Sequence, residues 1–276
     1  PVCPDRLFPF RSLFSLFLSH FFMPSFDKMA ESWDSTPDAQ ILSKKLGNAI
    51  QEWSKLAEWC RGRQVVRIVD IGGGTGLPLG YLVDAFLEHG VTTSTLLVDE
   101  SMDMCQQAVT KSHVHRVVCG KVDGSIIQAQ VDRLGKVSAP HITPSAGVER
   151  MTAEELGNLI VMAQPHVVLI GYVLHHIEDP RTVVRSLFAC SAAASLMLIG
   201  EFQRSDEAKK LKEAREEGDI FHAGFALSDF ESFIDDKSVT FTVLDEFTHK
   251  WQKDRKERRG DADENEQAAD EHDHGH

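Results

Sequence analysis

Residues 65–76 read VVRIVDIGGGTG, a β-branched apolar run that ends in a glycine-rich turn. Glycines after a strand permit positive φ and let a ligand approach bare backbone at the amino end of the next helix. One acid, Asp70, stands inside the run, so the pattern is acid-x-Gly-x-Gly-x-Gly through Gly72, Gly74 and Gly76. A dinucleotide turn of the Gly-x-Gly-x-x-Gly kind needs a third glycine at 77 or 79, and both are Leu. A phosphate loop needs Gly-Lys-Ser/Thr, which is missing. A second apolar run, STLLVD, ends in Asp99, 23 residues beyond Gly76. A carboxylate there is placed to accept hydrogen bonds from two vicinal ribose hydroxyls. The five cysteines are odd in number and widely spread, with no Cys-x-x-Cys pair, so neither a zinc ribbon nor a disulfide framework is indicated.

Such residues need a scaffold, and the surrounding pattern supplies one. Residues 65–72 predict a buried strand, 78–88 a helix with Leu79, Leu82 and Phe86 on one face, and 94–99 a second strand. A helix over 101–111 follows, with Ser101 as its cap, and residues 115–119 form a weaker third strand. Residues 166–174 predict a fourth strand; Asp179-Pro180 opens the next helix as N-cap and first position. Residues 195–202 are a fifth strand. Ser228-x-x-Glu231 reads as a capping box, with a sixth strand over 239–247. Strands alternating with helices argue for a parallel sheet covered on both faces. Residues 124–164 break the rhythm: they are long for one crossover, Thr152-x-x-Glu155 caps only their last helix, and 138–147 reads as a loop.

The chain has 276 residues, 42% hydrophobic and 26% charged, enough for one substantial core. This composition excludes collagen, a coiled coil, a disulfide-stapled miniprotein and a polytopic membrane protein. The net charge of −13 is unevenly placed: residues 261–276 carry seven acids and no Lys or Arg, leaving −6 for the rest. A body of that charge offers no general field for a polyanion, which speaks against nucleic acid as partner. The clear basic patch is Lys250–Arg259. Residues 13–23 are apolar but too short to span ~30 Å of hydrocarbon, so no membrane span is expected. Residues 1–22 read as a leader outside the fold: a signal-peptide h-region, an organelle presequence, or translated sequence upstream of a start at Met23. Residues 253–276 read as a charged disordered tail. Its His272, His274 and His276 read as a solvated ending, so no metal site is assigned. The cysteine usage suits a reducing compartment, and a cytoplasmic location is expected unless 1–22 direct the chain to an organelle.

At this point the chain resembles the class I S-adenosylmethionine-dependent methyltransferases of small-molecule type. The resemblance is carried by VVRIVDIGGGTGLPLGYL, LLVDESMDMCQQA, HVVLIGYVLHHIEDPRTVV and FDKMAESWDSTPDA, with FHAGFALSDFESF before the sixth strand. It implies a Rossmann-like α/β domain over 23–252, with a mostly parallel sheet of order 3-2-1-4-5-(7)-6 and helices on both faces. Helices within 38–60 are expected over the cofactor cleft. No seventh strand is readable after Trp251. S-adenosyl-L-methionine is the implied cofactor. Gly72, Gly74 and Gly76 would admit its methionine part, and Asp70 would sit near its amino group or orient the turn. Asp99 would take the ribose hydroxyls, Ser101 and Met102 would flank the adenine, and Asp123 would cap the adenine amino group. Gly171 and Tyr172 would line the methyl-transfer face. Nucleic-acid methyltransferases carry Asp/Asn-Pro-Pro-Tyr/Phe where this chain has Ile170-Gly171-Tyr172-Val173, so an exocyclic base amine is not the expected acceptor.

The implied activity is methyl transfer from S-adenosylmethionine to a small-molecule acceptor. In plant-type O-methyltransferases a His at the matching place acts as base, which points to His175. Alternatively, the His175-His176 pair shapes its loop or caps the helix at Ile177. His222 and Trp33 are further candidates to close the site by packing. A non-catalytic module that binds the cofactor or a partner is the alternative function. A nicotinamide oxidoreductase is disfavoured by Leu77 and Leu79.

Overall fold

Alternate residues of a strand face opposite ways, so a sheet with helices on both sides needs apolar residues at every strand position. The computed structural model of the chain describes residues 6–9, 26–135, 140–205, 209, 220–234, 236 and 239–244. Its strands are β1 (Arg6–Pro9), β2 (Val65–Ile71), β3 (Thr92–Asp99), β4 (Arg116–Cys119), β5 (Val148–Arg150), β6 (Val167–Gly171), β7 (Leu196–Gly200) and β8 (Val239–Thr242). The helices are α1 (Phe26–Trp33), α2 (Pro37–Gln51), α3 (Leu56–Cys60), α4 (Leu77–Glu88), α5 (Met102–Ala108), α6 (Gly124–Leu134), α7 (Ala153–Ala163), α8 (Pro180–Cys190) and α9 (Leu227–Phe233).

The strands form one sheet in the order β5-β4-β3-β2-β6-β7-β1-β8, and every described pairing is parallel. Counting from β2, the expected order 3-2-1-4-5 is present, with β2 central and β8 in the sixth place. Val66, Ile68, Leu97, Val167, Leu169 and Leu198 pack with α2, α3, α4 and α5 on one face. Val69, Ile71, Leu96, Val98, Val168 and Ile170 pack with α6, α7, α8 and α9 on the other. Because the strands are parallel, all their carboxyl ends emerge along one edge. The glycine turn, Asp99, Tyr172 and Glu201 all follow strand ends on that edge.

The structure departs from the sequence reading in several places. Arg6–Pro9, read as part of a leader outside the fold, is a strand between β7 and β8, pairing Leu7 with Leu196 and Arg6 with Val239. It fills the place between β7 and β8, where two strands would otherwise present unpaired backbone groups. β5 adds an edge strand inside the long crossover, and α6 precedes it. The fourth strand stops at Gly171, because Tyr172 takes φ 58, and a 3-10 turn over Leu174–His176 follows. α9 opens at Ala226, whose N–H donates to Asp229 Oδ2 at 2.6 Å, so Ser228 lies inside the first turn and is not its cap. The rest of residues 1–22, the strand beyond 244, the basic patch and the tail lie outside the described residues. Among the described residues no helix is long and apolar enough to cross a membrane.

α6 and α8 approach most closely at Gly124. A Cβ there would stand 2.5 Å from Val183 N and 2.6 Å from Thr182 C, both backbone atoms. Ser186 Oγ donates to Gly124 O at 2.6 Å across the same contact. Gly124→Ala is therefore expected to cost about 1–3 kcal/mol by overpacking. Gly147, with nothing within 4 Å of its built Cβ, is the internal control; Gly147→Ala should change stability by less than about 0.5 kcal/mol. Urea unfolding of both variants checks this, and equal midpoints would refute it.

Candidate functional site

The glycine turn is held from below by the neighbouring strand. Gly72 N–H and Gly73 N–H both donate to Val98 O, at 2.8 and 3.1 Å. Gly72, Gly74 and Gly76 all adopt positive φ, at 64, 54 and 80. Their surroundings differ. A Cβ at Gly72 would strike Val173, and at Gly76 it would press on Leu97 and Val114 at 3.2 Å. At Gly74 the nearest atom would be Met104 Sδ at 3.9 Å. The missing side chains at Gly72 and Gly76 thus serve protein packing, and Gly74 is the one of the three beside open space. Gly76 closes the turn as the N-cap of α4, with no side chain capping the helix.

Asp99 binds the turn to the helix beyond. Its Oδ2 accepts from Gly74 N–H at 2.8 Å and its Oδ1 from Ser101 N–H at 2.9 Å. Burial pushes this carboxyl up, while the two backbone bonds pull it down. Each oxygen keeps a second lone pair for a hydroxyl. Asp70 lies beneath the turn on the same face as Val66 and Ile68, 1% exposed, and its Oδ2 is buried with no hydrogen-bond partner. Burial, with Asp99 nearby, raises its carboxyl to about 8, so it is protonated at neutral pH.

Ser101, Met102 and Asp123 are all engaged by the protein itself. Ser101 is the N-cap of α5, accepting from Met104 N–H at 3.2 Å, and its hydroxyl donates to Asp27 Oδ1 at 2.5 Å. Met102 packs against the core on the α4 side, and Met104, two residues on, borders the space at Gly74. Asp123 Oδ1 is engaged as the cap of α6, accepting from Ser125 N–H, Ile126 N–H and Ser125 Oγ at 2.9, 3.2 and 2.6 Å. The Ser125 hydroxyl bond, with the backbone bonds, holds this carboxyl below the usual range. α1 packs on α5 above this region, and Asp34, just past its end, accepts from Thr75 Oγ1 and pairs with Lys111 Nζ.

At the far side of the turn, Leu46 of α2 stands over the ends of β6 and β7, 3.7 Å from a Cβ built at Gly171 and 3.5 Å from one at Gly200. Tyr172 N–H donates to Gly200 O at 2.7 Å, and its ring lies 5.9 Å from that of Phe202. A bulky residue at positive φ is strained, and such strain persists only where neighbours enforce it. His175 is 5% exposed, and its Nδ1 lies 2.6 Å from Glu201 Oε1. Glu201, 1% exposed, also accepts from His175 N–H at 3.3 Å and Phe202 N–H at 3.0 Å. With Glu201 Oε1 engaging Nδ1, Nε2 of His175 is the nitrogen left for a ligand. His222 Nε2–H donates to Ile177 O at 3.0 Å, and Phe221 N–H to His175 O at 2.9 Å, so this segment straps the histidine loop. Trp33 ends α1, and its carbonyl accepts from Thr36 Oγ1 at 2.8 Å. Sequence reasoning missed Glu201, Met104, Asp27 and Asp34. An acid closing the apolar run 195–202 was the one signal available for Glu201. Among the described residues no group of three or more His, Cys, Asp or Glu could hold a metal ion.

The Asp70 carboxyl has a measurable consequence. Its ordinary value is 3.8 and its folded value about 8, so between these pH values the folded chain holds a proton that the unfolded chain has lost. Its stabilising contribution is complete below pH ~4 and declines as pH rises to ~8, with a slope of at most about 1.4 kcal/mol per pH unit. Asp70→Asn removes the titration. The stability of this variant relative to wild type should therefore climb steadily from pH 5 to 8 in denaturant unfolding. A constant difference over that range would refute the assignment.

No family model matches the chain, and no curated protein matches it. Solved structures similar to it include the plantazolicin methyltransferase BpumL in complex with SAH, at 18% identity and TM-score 0.42 over 75% of this chain and 72% of that one. A SAM-dependent methyltransferase from Aquifex aeolicus is 12% identical, with TM-score 0.38 over 75% and 85%. The mitomycin 7-O-methyltransferase MmcR is 16% identical, with TM-score 0.40 over 76% and 53%. In this chain itself, the parallel order 3-2-1-4-5 with a sixth strand beyond, together with a glycine turn after the central strand, is a Rossmann-like α/β architecture.

Proposed function

We propose that the protein transfers a methyl group from S-adenosylmethionine to a small-molecule hydroxyl, with His175 as the proton acceptor. One juxtaposition supports this reading. Along a single sheet edge, the open backbone at Gly74 and the Asp99 carboxylate follow β2 and β3, and the His175–Glu201 pair follows β6 and β7. Gly72 and Val173 are in direct apposition, so the glycine turn and the histidine loop form adjoining walls of one site.

The residues present fit the cofactor. Gly74 offers a cradle that any Cβ would fill, and Asp99 offers carboxylate lone pairs for two hydroxyls. Asp70 Oδ2, buried beneath the turn with no hydrogen-bond partner among the described residues, is a polar atom that a ligand at the turn could engage. When bound, the sulfonium supplies a methyl group open to in-line displacement. The chain's part is positioning and proton handling. Leu46 covers the strand ends and excludes water. With the cofactor bound, His175 Nε2 would be the base that takes the acceptor's hydroxyl proton. Glu201 orients the ring through Nδ1 and stabilises the imidazolium in a buried setting.

Asp99→Ala removes charge-assisted bonds to ribose, worth ~1.5–3 kcal/mol each, so affinity for S-adenosylhomocysteine should fall at least tenfold by calorimetry. Gly74→Val should weaken it further. Unchanged binding in both folded variants would sink the cofactor reading. His175→Ala should lower turnover by ~10²–10⁴ on a hydroxyl acceptor with cofactor affinity almost unchanged. Retained turnover with a flat pH profile from 6 to 8 would reject His175 as base.

A further inference from the structure

The contacts around Asp99 continue through α1 and return to the turn. Starting from the helix, Asp27 Oδ1 accepts from Ser101 Oγ at 2.5 Å. Ser101 N–H donates to Asp99 Oδ1, and Asp99 Oδ2 accepts from Gly74 N–H. The next residue, Thr75, is 1% exposed and donates its hydroxyl to Asp34 Oδ1; Lys111 Nζ holds the other oxygen of Asp34. Asp27 and Asp34 are seven residues apart, two turns along one side of α1 and its end, a span of ~10 Å. The hydrogen bonds and the helix form a closed ring. It encloses the space beside Gly74 that Met104 borders.

We infer that α1 is a wall of the cofactor site, and that Asp27 and Asp34 are positioning residues that latch it shut and set how long the cofactor stays bound. This rests on the methyltransferase reading. Two things commend it beyond the contacts themselves. Asp34 reaches a fully buried hydroxyl in the turn, a contact that a helix lying loosely on the surface would not make. The other latch acts on Ser101, whose N–H is one of the two groups that, among the described residues, orient the Asp99 carboxylate. Lifting α1 from α5 therefore releases both loops that face the nucleoside. Cofactor exchange requires this opening, and the two carboxylates resist it. The Lys111 ion pair is partly exposed, with side-chain exposures of 18% and 39%, so salt weakens this latch only in part.

The test is the dissociation rate of S-adenosylhomocysteine, measured by displacement in stopped flow on the full chain, with KM for S-adenosylmethionine beside it. Asp27→Ala and Asp34→Ala should each speed dissociation roughly tenfold, the effect expected of a lost hydrogen bond to a charged group. KM should rise, and kcat at saturation should not fall. Asp34→Asn keeps an acceptor for Thr75 but loses the ion pair, and should lie between. Glu31→Ala, an exposed acid on the same helix, is the control and should change nothing. Melting temperature is followed throughout; if Asp34→Ala does not fold, Asp27→Ala and Asp34→Asn decide. Unchanged dissociation in the folded variants, or an equal change in Glu31→Ala, overturns the latch while leaving the cofactor reading intact. Failure of the wild-type protein to bind S-adenosylhomocysteine overturns that reading and the latch with it.

Discussion

The Asp99 carboxylate ties together three pieces of chain that no regular secondary structure connects. Its two oxygens take the N–H groups of Gly74 and Ser101, one in the turn after β2 and one at the start of α5. Both donors sit where a helix or turn leaves backbone groups without a regular partner. An uncompensated buried donor costs ~1–3 kcal/mol, so removing the acid would loosen both loops at once. The carbonyl just before it, Val98 O, receives Gly72 and Gly73. The last two residues of β3 therefore shape the whole turn after β2, and the parallel register of the two strands sets where that turn can stand.

Three buried carboxylates illustrate how surroundings give one chemical group different states. Glu201 is surrounded by donors: an imidazole and two backbone N–H groups. Asp99 has two backbone donors and remains in reach of the open space. Asp70 has an oxygen with no partner, and holds a proton instead of a charge. The fold thus keeps a hydrogen-bonded acid at the histidine and a neutral one under the turn, at the ends of β7 and β2, the strands that flank β6. A buried charge needs hydrogen-bonded company, and the carboxyl without it gives up ionisation.

The opposite faces of the sheet divide the labour. The α6, α7 and α8 side is a packed wall, with backbone-to-backbone approach at Gly124. The α2, α4 and α5 side carries the parts that border the site, and α1 closes over it. Leu46 and Asp34 come from segments early in the chain, yet they meet residues that lie 41 to more than 150 positions further on.

Much of the architecture was legible in the order of residues. Apolar β-branched runs, glycines after the first of them and an acid at the end of the second determine a parallel sheet with a ligand-accepting turn. These are local signals: side-chain alternation, backbone freedom at glycine and the reach of one carboxylate. What only the tertiary structure decided is who meets whom across the sheet edge. That Gly74 is open while Gly72 and Gly76 are packed depends on Val173, Leu97 and Val114. That Asp123 serves as a helix cap follows from Ser125 and Ile126 offering their N–H groups to it first. That Glu201 holds His175 depends on β6 and β7 being neighbours, since 26 residues separate the pair in the chain. Periodicity reports the face on which a side chain lies. Partners between separate elements are set by packing, where burial punishes every polar group left without one.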